Sequence, residues 1–353
     1  MAVEEQQQAP LAEREPARGM RGARGAWPAV RGLLIGRPET GALFGAIVMF
    51  VFFALYPESS DTFTTRSSLA DIASITAELG IVAMGVTLLM IAGHFDLSVG
   101  SVLGVSSVVA PYFILNYDVN PVLAVLVSVA AALTIGLLNG VLVVATRIPS
   151  FIVTLGTLLI WRSVLLRITG GFPVQVERET TIFKVFSYRI PDGFFQGYQV
   201  SFLWFLGVMI VLSFLLLRTP FGNWTFGSGG NERAARSMGV PVDRVWILLF
   251  VTTALCACLT GLIQVGRFNT VEGTRGEGLE LQAIAAAVIG GARLNGGYGS
   301  VVGAALGAAM IAMISVGLVQ AGIESYWLRF AVGTLIIVAV IANQTLGRSR
   351  PQT

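Results

Sequence analysis

The chain alternates between long apolar runs and short polar breaks. Ten runs stand out, at about 41–56, 72–93, 97–116, 121–145, 149–167, 200–217, 245–266, 279–292, 297–318 and 326–344. Most are near the ~20 residues that carry a helix across ~30 Å of hydrocarbon. They are continuously apolar rather than alternating, which predicts helices and excludes the strands of a membrane barrel. The expected fold class is all-α: a polytopic integral membrane helical bundle of about ten transmembrane helices. The eighth run is short enough to be re-entrant or half-buried.

Composition supports this picture. Of 353 residues, 54% are hydrophobic and 12% charged, against about 25% charged in soluble domains. Residues 1–40 hold no apolar core followed by a cleavage site and read as a disordered tail. Six arginines in that tail (Arg14, Arg18, Arg21, Arg24, Arg31, Arg37) predict that it is cytoplasmic, with no need of nucleic acid to explain them. An even number of spans returns the 345–353 tail, with Arg348 and Arg350, to the same side. The 41–344 membrane domain then has Arg147, the 218–244 loop and Arg293 in the cytoplasm, and Glu58–Asp71, Asp118, 169–199, 267–280 and Glu324 outside. Arg162 and Arg167, near the outer end of the fifth run, are expected to snorkel to the interface.

The 41 glycines suit close helix approach in lipid. Gly299, Gly303 and Gly307 recur every fourth residue and predict a tight helix contact. An internal echo pairs IAGHFDLSVGSVLG (Ile91 to Gly104) with IGGARLNGGYGSVVG (Ile289 to Gly303), each a glycine-bearing break between spans, consistent with a parallel internal repeat.

Several chemistries are excluded. The one lysine, Lys184, follows TTIF, so no phosphate-binding GxxxxGK[ST] loop exists and the chain has no P-loop ATPase site of its own. His94 is the only histidine, which removes paired-histidine metal sites, and no catalytic cluster or metal site is expected. Cys256 and Cys258 lie inside an apolar run and read as packing residues. A His94–Asp96 pair has the chemistry for proton relay, but at a helix junction Asp96 or Ser98 is expected to cap the third span. Few ionisable groups in the spans count against proton or sodium coupling and suit a neutral polar cargo. Polar residues placed to meet such a cargo are Asn139, Thr154, Thr157, Gln282 and Asn295, with Gln264, Asn269 and Gln320 as further span polar groups. For each, an interhelical hydrogen bond is the competing role.

The longest cytoplasmic break contains GGNERAARSMGVPVDRV. Asn231 is a good N-cap, Glu232 suits the first turn, and Ala234, Ala235 and Met238 favour helix on one side. Gly239 closes the helix and Pro241 is expected to delay its resumption. Two turns of helix are unstable alone, so the element must dock on its own bundle or on a partner. Arg233, Arg236 and Arg244 are expected to face acids around a partner's groove.

This loop resembles the coupling loop of the permease subunit of ATP-binding-cassette importers of the ribose and monosaccharide branch, in the pattern carried by Gly230, Asn231, Ala234, Ala235 and Gly239. Asp96, Leu97, Ser98, Val99 and Gly100 are similar to the same family's Asp-Leu-Ser-Val-Gly signature. RIPSFIVTLGTLLIWR and LQAIAAAVIGGARLNGGYGSVVGAALGA add two further matches, so that the resemblance covers roughly residues 75–343. It implies a permease in the bacterial plasma (inner) membrane for a neutral monosaccharide or polyol. It also implies a second permease copy or relative, an extracytoplasmic sugar-binding protein, and cytoplasmic ATPase subunits that bind ATP and magnesium while this chain binds no cofactor. Gly230, Asn231, Glu232, Ala234, Ala235, Met238 and Gly239 would form the helix that transmits ATPase closure, and Gly239→Asp or Ala235→Arg would uncouple transport without unfolding the bundle. Two departures are the arginine-rich tail and His94-Phe95, where many relatives have glycine and an aliphatic residue. The rival classes are a stand-alone secondary carrier or facilitator, disfavoured by sparse intramembrane charge and the exposed helix, and a scaffold or enzyme, disfavoured by the lack of a catalytic cluster.

Overall fold

The computed structural model describes residues 38–176, 181–193, 195–324 and 326–347. Most of the arginine-rich tail and residues 348–353 lie outside the described residues. The helices are α1 (Pro38–Leu55), α2 (Ser60–Phe63), α3 (Arg66–Ile91), α4 (Val99–Tyr117), α5 (Pro121–Thr146), α6 (Ser150–Thr169), α7 (Thr181–Lys184), α8 (Ser201–Arg218), α9 (Pro220–Gly230), α10 (Glu232–Ser237), α11 (Val242–Phe268), α12 (Leu279–Ile289), α13 (Val301–Gln320) and α14 (Trp327–Gly347). Each apolar run of the sequence falls on one of α1, α3–α6, α8 and α11–α14. Seven of these, α3, α4, α5, α6, α8, α11 and α13, are long and apolar enough to cross a membrane, and shorter apolar stretches occur in α1, α12 and α14. The molecule is an all-helical membrane bundle.

Helix limits follow local chemistry. Thr65 caps α3 through Ser68 N–H, Asn120 caps α5 with Pro121 at the first position, and the Ser300 hydroxyl accepts from Gly303 N–H at the start of α13. α3 is nearly enclosed, packed by α8, α11, α12 and α13, and supplies much of the core with Ile81, Met84, Leu88 and Leu89. By contrast, α5, α6 and α8 leave most of their apolar surface open, which in lipid is no liability. The glycine stripe makes the expected close contact. A methyl group on Gly303 would strike the Gly290 carbonyl and one on Gly307 the Ala286 carbonyl, so α12 and α13 touch through backbone. Cys256 and Cys258 are free, buried thiols in α11, with Cys256 against Gly85 of α3.

Two features depart from the sequence expectation. α9 is a helix that its Pro- and Gly-rich sequence does not announce; Pro220 sits in its first turn, and the chain folds back so tightly that Gly222 has no room for a side chain beside Leu216. The 267–280 break is not wholly outside the bundle. A two-residue strand β1 (Val174–Gln175) pairs antiparallel with β2 (Thr270–Val271), and beyond β2 Gly273 packs on α6 and Arg275 and Gly276 on α4. There Arg162 donates to the carbonyls of Gly273 (2.8 Å) and Arg275 (2.9 Å) rather than snorkelling, while Arg167 stays exposed near the end of α6. The chain also bears directly on Gly100, whose Cβ would meet the Gly276 carbonyl and Glu280 Oε2. α12, eleven residues or ~16 Å long, therefore starts inside the bundle as a half-span.

Candidate functional site: a short clamped helix beside two helix junctions

α10 forms because Asn231 leaves the helical conformation (φ −155°) and its Oδ1 accepts from Ala234 N–H at 3.0 Å. It stops because Gly239 adopts φ +82°, letting Val240 N–H reach the Ala235 carbonyl and Gly239 N–H the Arg236 carbonyl. Pro241 does not delay the next helix; it occupies the N-cap of α11, which starts at Val242.

A helix of six residues needs anchoring, and charge supplies it. Arg236 forks onto both oxygens of Asp243 (2.6 and 3.2 Å) and bonds Glu232 through Nε at 2.9 Å. Arg147, at the end of α5, reaches Asp243 (3.2 Å) and Glu232 (3.6 Å). Single pairs this exposed contribute little, but the bidentate fork within a four-ion network fixes geometry. Its hydrogen bonds to Asp243, and secondarily to Glu232, hold the Arg236 guanidinium above its already high ordinary pKa. Both guanidinium groups rest on Trp246, at 5.6 Å (Arg236) and 5.8 Å (Arg147) from the ring centroid. Against the same indole stands His94, edge-on with ring centroids 4.2 Å apart.

This anchoring divides the predicted coupling residues. Asn231, Arg233, Ala234, Ser237, Met238 and Gly239 are exposed, Met238 at 85%. Ala235 is buried, facing the bundle, so it does not share a face with Ala234 and Met238, and Ala235→Arg would disrupt seating rather than selectively uncouple. Arg236 is consumed internally, leaving Arg233 and Arg244 as the exposed bases.

The first junction, Ala92–Ser98, is a non-helical stretch beside the start of α6. Ser150 Oγ accepts from Phe95 N–H and Thr154 Oγ1 from Leu97 N–H, each at 3.0 Å. Asp96 Oδ1 accepts from both the backbone N–H (2.8 Å) and the hydroxyl (2.6 Å) of Ser98, and Asn139 Nδ2 donates to Ser98 Oγ at 2.8 Å. The expected cap is thus corrected: Ser98 stands at the N-cap of α4, but its side chain gives its proton to Asp96 and takes none from the helix. Gly100 follows, held against Gly276.

The second junction repeats the helix stop of the first. Gly93 (φ +87°) and Gly291 (φ +92°) are both left-handed, with His94 N–H on the Leu89 carbonyl and Ala292 N–H on the Ala287 carbonyl. The echo in sequence is an echo in geometry over this turn. The two junctions then meet at the end of α9. Gly297 N–H donates to the Ile91 carbonyl at 2.8 Å, a Cβ on Gly296 would stand 3.0 Å from Gly93 Cα, and one on Gly297 would stand 2.9 Å from Gly230 Cα. A Cβ on Gly229 would land on the Ile91 carbonyl.

The pathway candidates scatter. Asn139 and Thr154 are fully buried in the first junction, and Thr157 bonds the Thr154 carbonyl at 3.2 Å. Asn295 is exposed on the turn beside Gly296, and Gln282 is half-buried in α12. Gln320 bonds Ser68, and Gln264 bonds Glu78. Sequence reasoning missed Arg147, Trp246 and the part-buried Glu78–Arg267 pair (2.6 Å). Glu78 was visible as a lone carboxylate in an apolar run, but its partner lies 189 residues on. Among the described residues no cluster of His, Cys, Asp and Glu has a metal-binding arrangement.

Residues 68–340 match a family described as a branched-chain amino acid transport system permease component. The ribose import permease protein RbsC of Escherichia coli K12 is 33% identical over 300 residues, spanning 84% of this chain and 92% of that protein. RbsC of Bacillus subtilis 168 is 31% identical over 306 residues, 87% and 92% of the two chains. The xylose/arabinose import permease protein XylH of Sulfolobus acidocaldarius is 34% identical over 304 residues, 84% and 82% of the two chains. With a ten-run helical bundle and no ATPase domain, this chain belongs to that family of permease components of ATP-binding-cassette importers.

Proposed function

We propose that the chain carries a neutral monosaccharide, a pentose such as ribose, xylose or arabinose, inward across a bacterial plasma membrane with both termini cytoplasmic. A partner ATPase binding ATP and magnesium drives it, an extracytoplasmic binding protein delivers the sugar, and a second permease completes the pathway. The observation that carries this reading is the two-sided seating of α10. Its rear is clamped by Arg147, Asp243 and Trp246, and its front, Arg233, Ala234, Ser237 and Met238, is left open. A short helix held so firmly while presenting an apolar residue at 85% exposure is built to be gripped from outside.

The translocation pathway runs past the start of α12 rather than past the buried Asn139 and Thr154. Thr274 and Glu277 are exposed on the single chain. They adjoin Arg162, twelve residues or ~18 Å from the start of α6. An exposed carboxylate at that height faces a water-filled space rather than lipid. Gln282 belongs to the same stretch.

Co-purification with the cognate ATPase and uptake of labelled D-ribose and D-xylose into vesicles test the proposal. Ala234→Arg should release the ATPase and abolish ATP-driven uptake while leaving the thermal midpoint of the bundle near wild type. Uptake by this chain alone, driven by a proton gradient, would establish the secondary-carrier reading instead.

A further inference from the structure

α10 can act as a lever only through what lies behind it. Its N-cap is covalently continuous with α9, whose last two glycines bear on the Ile91 carbonyl and on Gly297, one from each junction. Arg236 of α10 lies on Trp246, and Trp246 abuts His94, the first residue after the left-handed Gly93. Beyond His94 the chain has no helical hydrogen bonds until α4. Its N–H groups are held by side chains of α6 and by Asp96. Motion of the Trp246–His94 contact would therefore pass into a segment held by side chains rather than by helical hydrogen bonds, and that segment leads into α4.

The contact also has an idle donor and an idle acceptor. Trp246 is 6% exposed, and its Nε1 has no hydrogen-bond partner among the described residues; the same holds for His94 Nε2 on the touching ring. A buried indole N–H is ordinarily paired, and leaving it unpaired carries a cost that calls for an explanation. Two such atoms on rings 4.2 Å apart form a complementary pair.

We propose that His94 and Trp246 form a two-position contact: edge-packed as seen here, and joined by a Trp246 Nε1–H to His94 Nε2 hydrogen bond when α10 is displaced. The bond forms as the indole turns with Arg236 and draws the His94–Ser98 segment after it. Trp246 and His94 are thus positioning residues for transport. Phe250, at 6.1 Å from His94, is the apolar wall against which the imidazole turns. This rests on α10 being the ATPase contact.

The test uses the intact complex of permease, ATPase and binding protein in liposomes, with labelled D-ribose and D-xylose as probes. Trp246→Phe keeps the ring face under Arg236 but removes the donor. Sugar carried per ATP hydrolysed, a ratio read on complex that has retained its ATPase, should fall about fivefold, the worth of one hydrogen bond. His94→Gln, which keeps an acceptor, should retain most of the coupling. A fluorophore on Asn295→Cys, an exposed site beside the Gly296–Gly93 contact, gives a sugar-independent readout. Its spectral shift on vanadate trapping should be present in wild type and reduced by Trp246→Phe. Wild-type coupling and wild-type shift in Trp246→Phe would overturn the two-position contact. Failure of the unmodified chain to hold the ATPase would instead overturn the reading of α10.

Discussion

Asn139 of α5 donates to Ser98 of the first junction at 2.8 Å, and through Ser98 the amide is tied to Asp96. A residue near the end of a lipid-facing helix thus fixes the entry of this polar turn. Asn139→Leu removes the donor and should lower the thermal unfolding midpoint in detergent, at a cost of about 1–3 kcal/mol. Asp96→Asn keeps an acceptor for both Ser98 protons and should stay within about 1 kcal/mol of wild type, whereas Asp96→Ala strands the Ser98 N–H and should cost more. Lost transport in a stably assembled Asp96→Asn would reveal a direct role for the charge.

His94 is the only histidine, so its titration can be read without assignment. Burial lowers its pKa from 6.5 to about 4, opposed in part by the Glu232 carboxylate. The folded state therefore disfavours the protonated ring. The resulting stability is present above pH 6.5 and is lost as pH falls toward 4. Histidine resonances of labelled protein should titrate near pH 4, and His94→Phe should flatten the loss of stability between pH 6.5 and 4. Titration near 6.5 would mean that the ring is open to water.

Gly229 has no room for a side chain against the Ile91 carbonyl, which already accepts from Gly297. Because the obstacle is backbone, it cannot step aside. Gly229→Ala should destabilise by about 3 kcal/mol, in the range of core overpacking. Gly239→Asp, at an open left-handed position, should cost about 1–2 kcal/mol and fray only α10. Thermal midpoints of the two variants, measured side by side, check the order.

Arg162 holds the inward-running segment by two carbonyls. Arg162→Met should speed hydrogen exchange over residues 272–280 while leaving α5 and α10 unchanged. Equal exchange in that stretch would show that Gly100 and Gly104 packing suffices to hold it.

The ten apolar runs, the two glycine-stopped junctions and the limits of α10 were legible in the sequence. Run length, an Asn cap and a left-handed glycine act within a few residues through hydrogen bonds that local sequence sets. What tertiary structure alone decided was which side of α10 is open, that Arg236 is occupied and Ala235 buried, and that Asn139 and Thr154 clamp a junction. It also decided that Arg162 holds carbonyls from a segment 111 residues away, and that α9 brings the glycines of both junctions together. These outcomes depend on contacts between residues tens to hundreds of positions apart. No pattern within a run encodes them, because in lipid every face of a helix is apolar enough to be buried, and only close packing and the pairing of polar groups choose among the faces.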